Sequence, residues 1–188
     1  MRQKRELRRP SSRRESAIVM ALVAALAVPA ASNATEIVPS IGVTRTVDND
    51  DSKSNLGLAL RGNLAGPAVQ TEIGVTYRKD EYFGGGLETK TIPIMASLLF
   101  RPVPSLHADV GVGWYHTKYD YASAALEDET KQDFGVHVGG GIQVPIAPKA
   151  AIDLTGRYGF MKDQESKLVP ETFDPDFWTM SLGLAFKL

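Results

Sequence analysis

Phe177-Trp178-Thr179-Met180-Ser181-Leu182-Gly183-Leu184-Ala185-Phe186-Lys187-Leu188 alternates without a break. Every even position is large and apolar, and the odd positions are mostly small or polar. Period two is the mark of a strand whose two faces meet different surroundings, because successive side chains point to opposite sides. A helix would need apolar spacings of three and four, which this stretch lacks.

The same alternation runs outward through the chain. Ile152, Leu154, Tyr158 and Phe160 oppose Asp153, Thr155, Arg157 and Gly159. Phe134, Val136, Val138, Ile142 and Val144 oppose Gly135, His137, Gly139, Gly141 and Gln143. Earlier segments repeat it, and eight strands are predicted over 37–47, 54–63, 68–78, 88–100, 105–117, 132–145, 149–161 and 176–188. Most exceed the ~5–6 residues usual in a soluble protein and match the ~9–11 of a tilted strand crossing a bilayer. The connections hold 6, 4, 9, 4, 14, 3 and 14 residues, so long and short alternate. Short ones sit at Gly66-Pro67, Pro102/Pro104 and Pro145/Pro148; long ones are polar and acidic, as in Asp48–Asp51, Glu127–Glu129 and Asp163–Asp174. Tight periplasmic turns and longer external loops are what an up-and-down barrel in an outer membrane requires.

One face of each segment is bulky and apolar; the other carries Gly, Ala, Ser, Thr and scattered charge. The second face is too rich in glycine to make a good solvated surface. An eight-stranded barrel has an interior only wide enough to be filled by side chains. The bulky face is therefore expected outward in lipid, with glycines making room inside for a few large polar groups. Aromatics sort by depth: Tyr77, Trp114, Phe134, Tyr158, Phe160 and Trp178 at the long-loop ends, Phe100 and Phe186 at the short-turn ends, as two girdles require. Two positions strain the scheme. Arg45 shares the parity of Ile41 and Val43 and is expected near the outer rim, or at a bulge that turns it inward; Pro93 deletes a ladder donor and is expected to mark a bulge or irregularity.

The N-terminus is a different object. Residues 1–34 carry seven basic and two acidic groups, then the apolar run Ala17–Pro29, then small residues Ala30–Ala34. Basic, apolar, small is the order of a cleavable export signal, with cleavage expected after Ala34 or, alternatively, Ala30. Arg13-Arg14 lacks the apolar residues that a twin-arginine signal needs after it, so ordinary unfolded export is expected. The remaining 154 residues hold 14 basic and 20 acidic groups, which removes the positive charge that nucleic-acid binding requires. There is no cysteine, so disulfides and thiolate metal sites are excluded.

On these residues the chain resembles the small OmpA/OmpX/OmpW-like outer-membrane β-barrel domains. The resemblance covers 35–188 and is carried by Asp109-Val-Gly-Val-Gly-Trp114, by Phe134 to Ile142 leading to Ala151–Tyr158, and by the C-terminal strand. It implies that Trp178, Met180, Leu182, Leu184, Phe186 and Leu188 form the signal read by the outer-membrane assembly machinery after periplasmic chaperones deliver the chain. The family prefers a terminal aromatic; this chain ends in Leu188, with Phe186 two before it.

The predicted interior holds Arg61, Arg78, Arg157 and Lys187 against Glu72, Asp109 and Asp153, with His137 among them. Near-balanced charge in a narrow low-dielectric tube is expected to pair and close the bore. No nucleophile lies beside His107, His116 or His137 at strand spacing, and Gly84–Gly86 and Gly139–Gly141 lack the Lys-Ser/Thr of a phosphate loop. No enzyme activity, cofactor or metal is expected. The expected protein is a monomeric outer-membrane barrel with a structural or surface-contact role, touching lipid and lipopolysaccharide. The alternatives are a narrow channel for small or apolar solutes and a soluble periplasmic lipocalin-like barrel.

Overall fold

A strand in hydrocarbon must satisfy every N–H and C=O against another strand, and only a closed sheet does so for all of them. The computed structural model describes residues 34–47, 52–82, 87–121, 128–161, 164–165, 172–173 and 175–188, and its strands obey that demand. They are β1 (Ala34–Thr46), β2 (Lys53–Ala65), β3 (Val69–Tyr82), β4 (Leu87–Val103), β5 (Leu106–Tyr121), β6 (Glu129–Ala147), β7 (Ala150–Met161) and β10 (Phe177–Lys187). A two-stranded ribbon, β8 (Gln164–Glu165) with β9 (Thr172–Phe173), lies between β7 and β10. Each long strand pairs antiparallel with its neighbour in the chain, and β1 closes on β10. All eight expected segments are present. The export signal lies outside the described residues, as do Asp48–Asp51 and parts of the two longest loops.

The strands run further than alternation alone implied, and mostly at one end. β3 continues to Tyr82, β4 starts at Leu87, β5 reaches Tyr121 and β6 starts at Glu129. Above the girdle the alternation of size is lost, since both faces become polar, so periodicity could not follow the ladder there. Outward-facing charges stitch this extension. Lys79 Nζ lies 2.6 Å from Glu88, Lys90 Nζ 3.0 Å from Glu88 and 2.9 Å from Asp120, and Lys118 pairs with Asp120. Hydrogen bonds from Lys118 and Lys90 hold the Asp120 carboxyl down at about 2, so the row stays ionised at physiological pH.

Orientation follows from exposure. On β10, Leu182 is 51% exposed; Asp153, on β7 one pairing step away, is 3% exposed. Ile41, Leu56, Leu58, Val110, Val136, Ile152, Leu154 and Leu184 likewise face outward, and the buried set is dominated by Thr, Arg, Glu, Asp, His, Asn and Gln. A soluble barrel would reverse this. The soluble lipocalin-like alternative is therefore overturned by a tube that is greasy outside and polar inside.

Four prolines fall within strand bounds, Pro39 and Pro93 in the interior and Pro102 and Pro145 close to strand ends. Pro93 marks a local irregularity without a bulge, one of the two outcomes expected of it. Its register with Tyr115 on β5 is regular, and on the β3 side the ladder lapses between Val75↔Ile94 and Arg78↔Thr91, then resumes unshifted. The missing N–H is on the β3 side, so one short gap absorbs it without an extra residue. Pro39 does the same at the β1–β10 closure, where the pairing skips from Ile37↔Phe186 to Ser40↔Gly183. Arg45 sits one residue from the end of β1, opposite Trp178, at the outer rim.

Candidate functional site: the lumen ion-pair network

Register builds the interior. β6 presents glycine at inward positions 135, 139 and 141, and side chains from β5 and β7 meet across it. Asp109, Gly139 and Arg157 share one cross-strand row, and Arg157 Nε donates to Asp109 Oδ1 at 2.9 Å over the bare glycine. His107, Gly141 and Thr155 form the next such row, with His107 Nε2 3.3 Å from Thr155 Oγ1. A Cβ on Gly139 would sit 2.6 Å from both Arg157 Cγ and the Gly156 carbonyl oxygen. Since the second obstacle is backbone, Gly139→Ala is expected to destabilise the barrel by ~1–3 kcal/mol. Urea unfolding of the protein in lipid vesicles measures this; an unchanged midpoint would show that the wall yields there.

Arg61 is the hub. Its Nε donates to Glu72 Oε2 at 2.7 Å, and its Nη1 and Nη2 form a fork on Asp153 at 2.6 and 3.2 Å. Glu72 uses its other oxygen for Arg157 Nη2 at 2.6 Å, which links the hub to Asp109. Thr155 Oγ1 donates to Asp153 at 2.7 Å. Toward the turn end, Glu36 accepts from Gln143 Nε2 at 3.1 Å and from Arg101 Nη2 at 3.4 Å, and lies 4.0 Å from Arg61. Charge-assisted and forked bonds of this kind are the strong ones, and desolvation makes their completeness matter.

Of the predicted interior residues, Arg61, Glu72, Asp109, Asp153 and Arg157 form one connected cluster. His137 stands at its edge, 3.8 Å from Asp109. Arg78 is buried higher, its guanidinium 5.2 Å from the Phe177 ring centre. Lys187 is a correction: it is exposed. Its place at the last position of β10 puts it past the polar core at the turn-side rim, where water solvates it. Sequence reading missed Glu36 and Arg101, which fell one residue outside the segments assigned to β1 and β4; extending the inward parity by one step at each strand end would have caught both. It also missed Phe177, an inward aromatic against Tyr115 with ring centres 5.7 Å apart. The eight girdle aromatics all lie on the outward face, with Trp114 paired to Phe134 and Trp178 to Tyr158.

One pair hidden from spacing arguments is Ser97 with His137, whose Oγ and Nε2 are 2.9 Å apart. Ser97, Gly111 and His137 share a row across β4, β5 and β6, so the ring reaches over a second glycine. Nearby Asp109 completes the residue types of a hydrolytic triad. The geometry does not, because Asp109 approaches the same nitrogen that meets Ser97, whereas an orienting carboxylate must bind the other. The trio reads as packing. Among the described residues no group of three or more His, Asp or Glu is placed to hold a metal ion.

Above the network a second polar layer spans the tube. Asn55 Nδ2 donates to Thr44 Oγ1 at 2.8 Å and to Thr179 Oγ1 at 3.3 Å, and Thr91 meets Thr117 at 3.2 Å. Between the layers a cavity of about 70 Å³ remains on the β10–β1–β2–β3 side, where inward positions are small: Ser40, Gly57, Gly74 and Gly183.

An apolar exterior, a salt-bridged interior and a closed eight-stranded meander define a transmembrane β-barrel of the outer-membrane type. The chain belongs to the family described as outer membrane protein beta-barrel domain, whose model matches residues 18–186. It is a bacterial outer-membrane protein. Among solved structures it is similar to Neisserial surface protein A (13% identity, TM-score 0.62, covering 82% of this chain and 96% of that one). It is also similar to Ail, the attachment invasion locus protein of Yersinia pestis (14% identity, TM-score 0.54, 82% and 97%). A third likeness is to the N-terminal β-barrel domain of Pseudomonas aeruginosa OprF (13% identity, TM-score 0.51, 82% and 98%). These likenesses concern the fold. Comparison with curated proteins finds no match in sequence.

Proposed function

We propose that this protein is a closed, monomeric barrel with a structural and surface-contact role in the outer membrane, and that it performs no catalysis. The observation that carries this reading is the network from Glu36 through Arg61 and Glu72 to Arg157 and Asp109, which draws side chains from β1, β2, β3, β5 and β7 to the middle of the tube. The surface-contact half is supported by the wall above the girdle, where β4, β5 and β6 reach 17, 16 and 19 residues, well past the ~9–11 a bilayer needs. That wall presents lysines and carboxylates outward, from Lys79 and Glu88 to Lys118 and Asp120, while Tyr119 and Tyr121 are buried on its inner face. In this reading the outward face of β10, from Trp178 to Leu188, is what the assembly machinery engages, after chaperones keep it from aggregating, and lipopolysaccharide is the lipid neighbour.

A narrow channel for small or apolar solutes is the second reading, and the cavity beside the network is what favours it. Recording from purified barrel in planar bilayers separates the two. The closed reading expects no steady discrete openings; steady unitary currents would replace it with the channel.

A further inference from the structure

The inward glycines are of two kinds. Gly111, Gly113, Gly139 and Gly141 lie under large side chains, and a Cβ on them would come within 2.7 Å of His137, Tyr115, Arg157 and His107 respectively. Packing of those four groups uses the missing side chain. Gly74 on β3 is different. A Cβ there would meet Ala59 Cβ at 3.6 Å, the Leu58 carbonyl oxygen at 3.7 Å and Glu72 Oε1 at 4.0 Å, all ordinary contacts. The space in front of it belongs to the cavity of about 70 Å³ between the two polar layers. The wall around it is equally small: Gly183, Ser40 and Gly57 share one cross-strand row, and Ala59 pairs with Gly74.

The lining decides what such a space takes. Glu72 and Asp153 present acceptors, Arg61, Arg78 and Arg157 present donors, and the Ser40 hydroxyl can act as either. His137 lines the cavity too, is 1% exposed, and its Nδ1 has no hydrogen-bond partner among the described residues. A buried ring nitrogen is costly unless something bonds it. An ion of either sign would meet its own sign on the wall, and an apolar guest would strand the polar groups. A small neutral molecule that both donates and accepts suits them all. At ~30 Å³ per molecule the volume takes about two waters.

We infer that this cavity is a binding site for a small cluster of ordered waters, kept open by Gly74. The cluster joins the network around Arg61 to the layer of Asn55, Thr44 and Thr179, which also line the cavity. The site goes beyond the closed-barrel reading, because a hydrated pocket between two polar layers carries no current.

Water-edited solid-state NMR of the full barrel in lipid bilayers tests it. Magnetisation from water is expected to reach the Gly74 and Gly57 amides several-fold faster than those of Gly113 and Gly141, which are covered by Tyr115 and His107. Transfer as slow at Gly74 as at Gly113 overturns the site. A pair of variants gives a second reading. Gly74→Val and Gly74→Thr add side chains of nearly one shape, but threonine brings a hydroxyl where valine brings a methyl. With waters in the cavity the hydroxyl takes over part of their bonding, so Gly74→Thr is expected to unfold at a higher urea concentration than Gly74→Val. Equal midpoints, or a higher one for valine, are the result of a dry cavity and overturn the inference. The NMR comparison uses the unaltered chain, so it decides the matter even where a variant fails to fold. Neither measurement depends on conductance, so the water site and the closed-barrel reading fail separately.

Discussion

Arg61→Ala is expected to cost ~3–5 kcal/mol of unfolding free energy, the range for removing one partner from a buried ion cluster. The guanidinium makes three hydrogen bonds to two carboxylates and neutralises a third charge at 4.0 Å. After truncation Glu72 still has Arg157, and Glu36 still has Arg101 and Gln143. Among the described hydrogen bonds Asp153 keeps only that from the Thr155 hydroxyl, and it is buried. The cost therefore concentrates on Asp153. Arg61→Ala/Asp153→Asn is expected to recover a good part of it, since the amide carries no charge to desolvate. Urea unfolding in lipid vesicles, followed by tryptophan fluorescence, reads both. If the double variant is no more stable than the single one, the damage lies in the cavity left behind.

Leu182→Arg is expected to cost ~2–4 kcal/mol, the depth-dependent penalty of a cation at the middle of the lipid face. Leu182 is central in β10, outward, and flanked across the sheet by Ile41 and Leu154. Leu188→Arg, beyond the strand end, is expected to cost less than ~1 kcal/mol, because the interface solvates it. The same unfolding assay compares the pair. Equal costs at the two positions would remove Leu182 from hydrocarbon and with it the orientation of the whole barrel.

Much of this architecture was legible before any coordinates. Period two fixes which residues share a face, and in a closed barrel sharing a face means sharing a solvent. That is why Asp109, Asp153, Arg61 and Glu72 were placed inside correctly from parity alone, and why the girdle residues lie outside. Strand ends were less legible. Above Arg78 and Thr117 both faces turn polar, so the contrast that carries the signal vanishes while the ladder of backbone bonds goes on. Lys187 was misplaced for a related reason: parity names a side of the sheet and says nothing of whether the tube still has an inside at that height.

Pairing partners were out of reach in a different way. Nothing in spacing tells that Arg157 bonds Asp109 and Glu72 together, or that Ser97 meets His137. Those contacts depend on register, which is set jointly by turn lengths, by the ladder lapses opposite Pro93 and Pro39, and by the curvature that brings β2 near β7 across the lumen. The sequence by itself determined the number of strands, the face of each and the membrane they cross, because alternation is a local property that hydrocarbon reads residue by residue. Only the tertiary structure decided which charges meet, because that follows from closing the sheet on itself, a step that brings together residues a hundred positions apart.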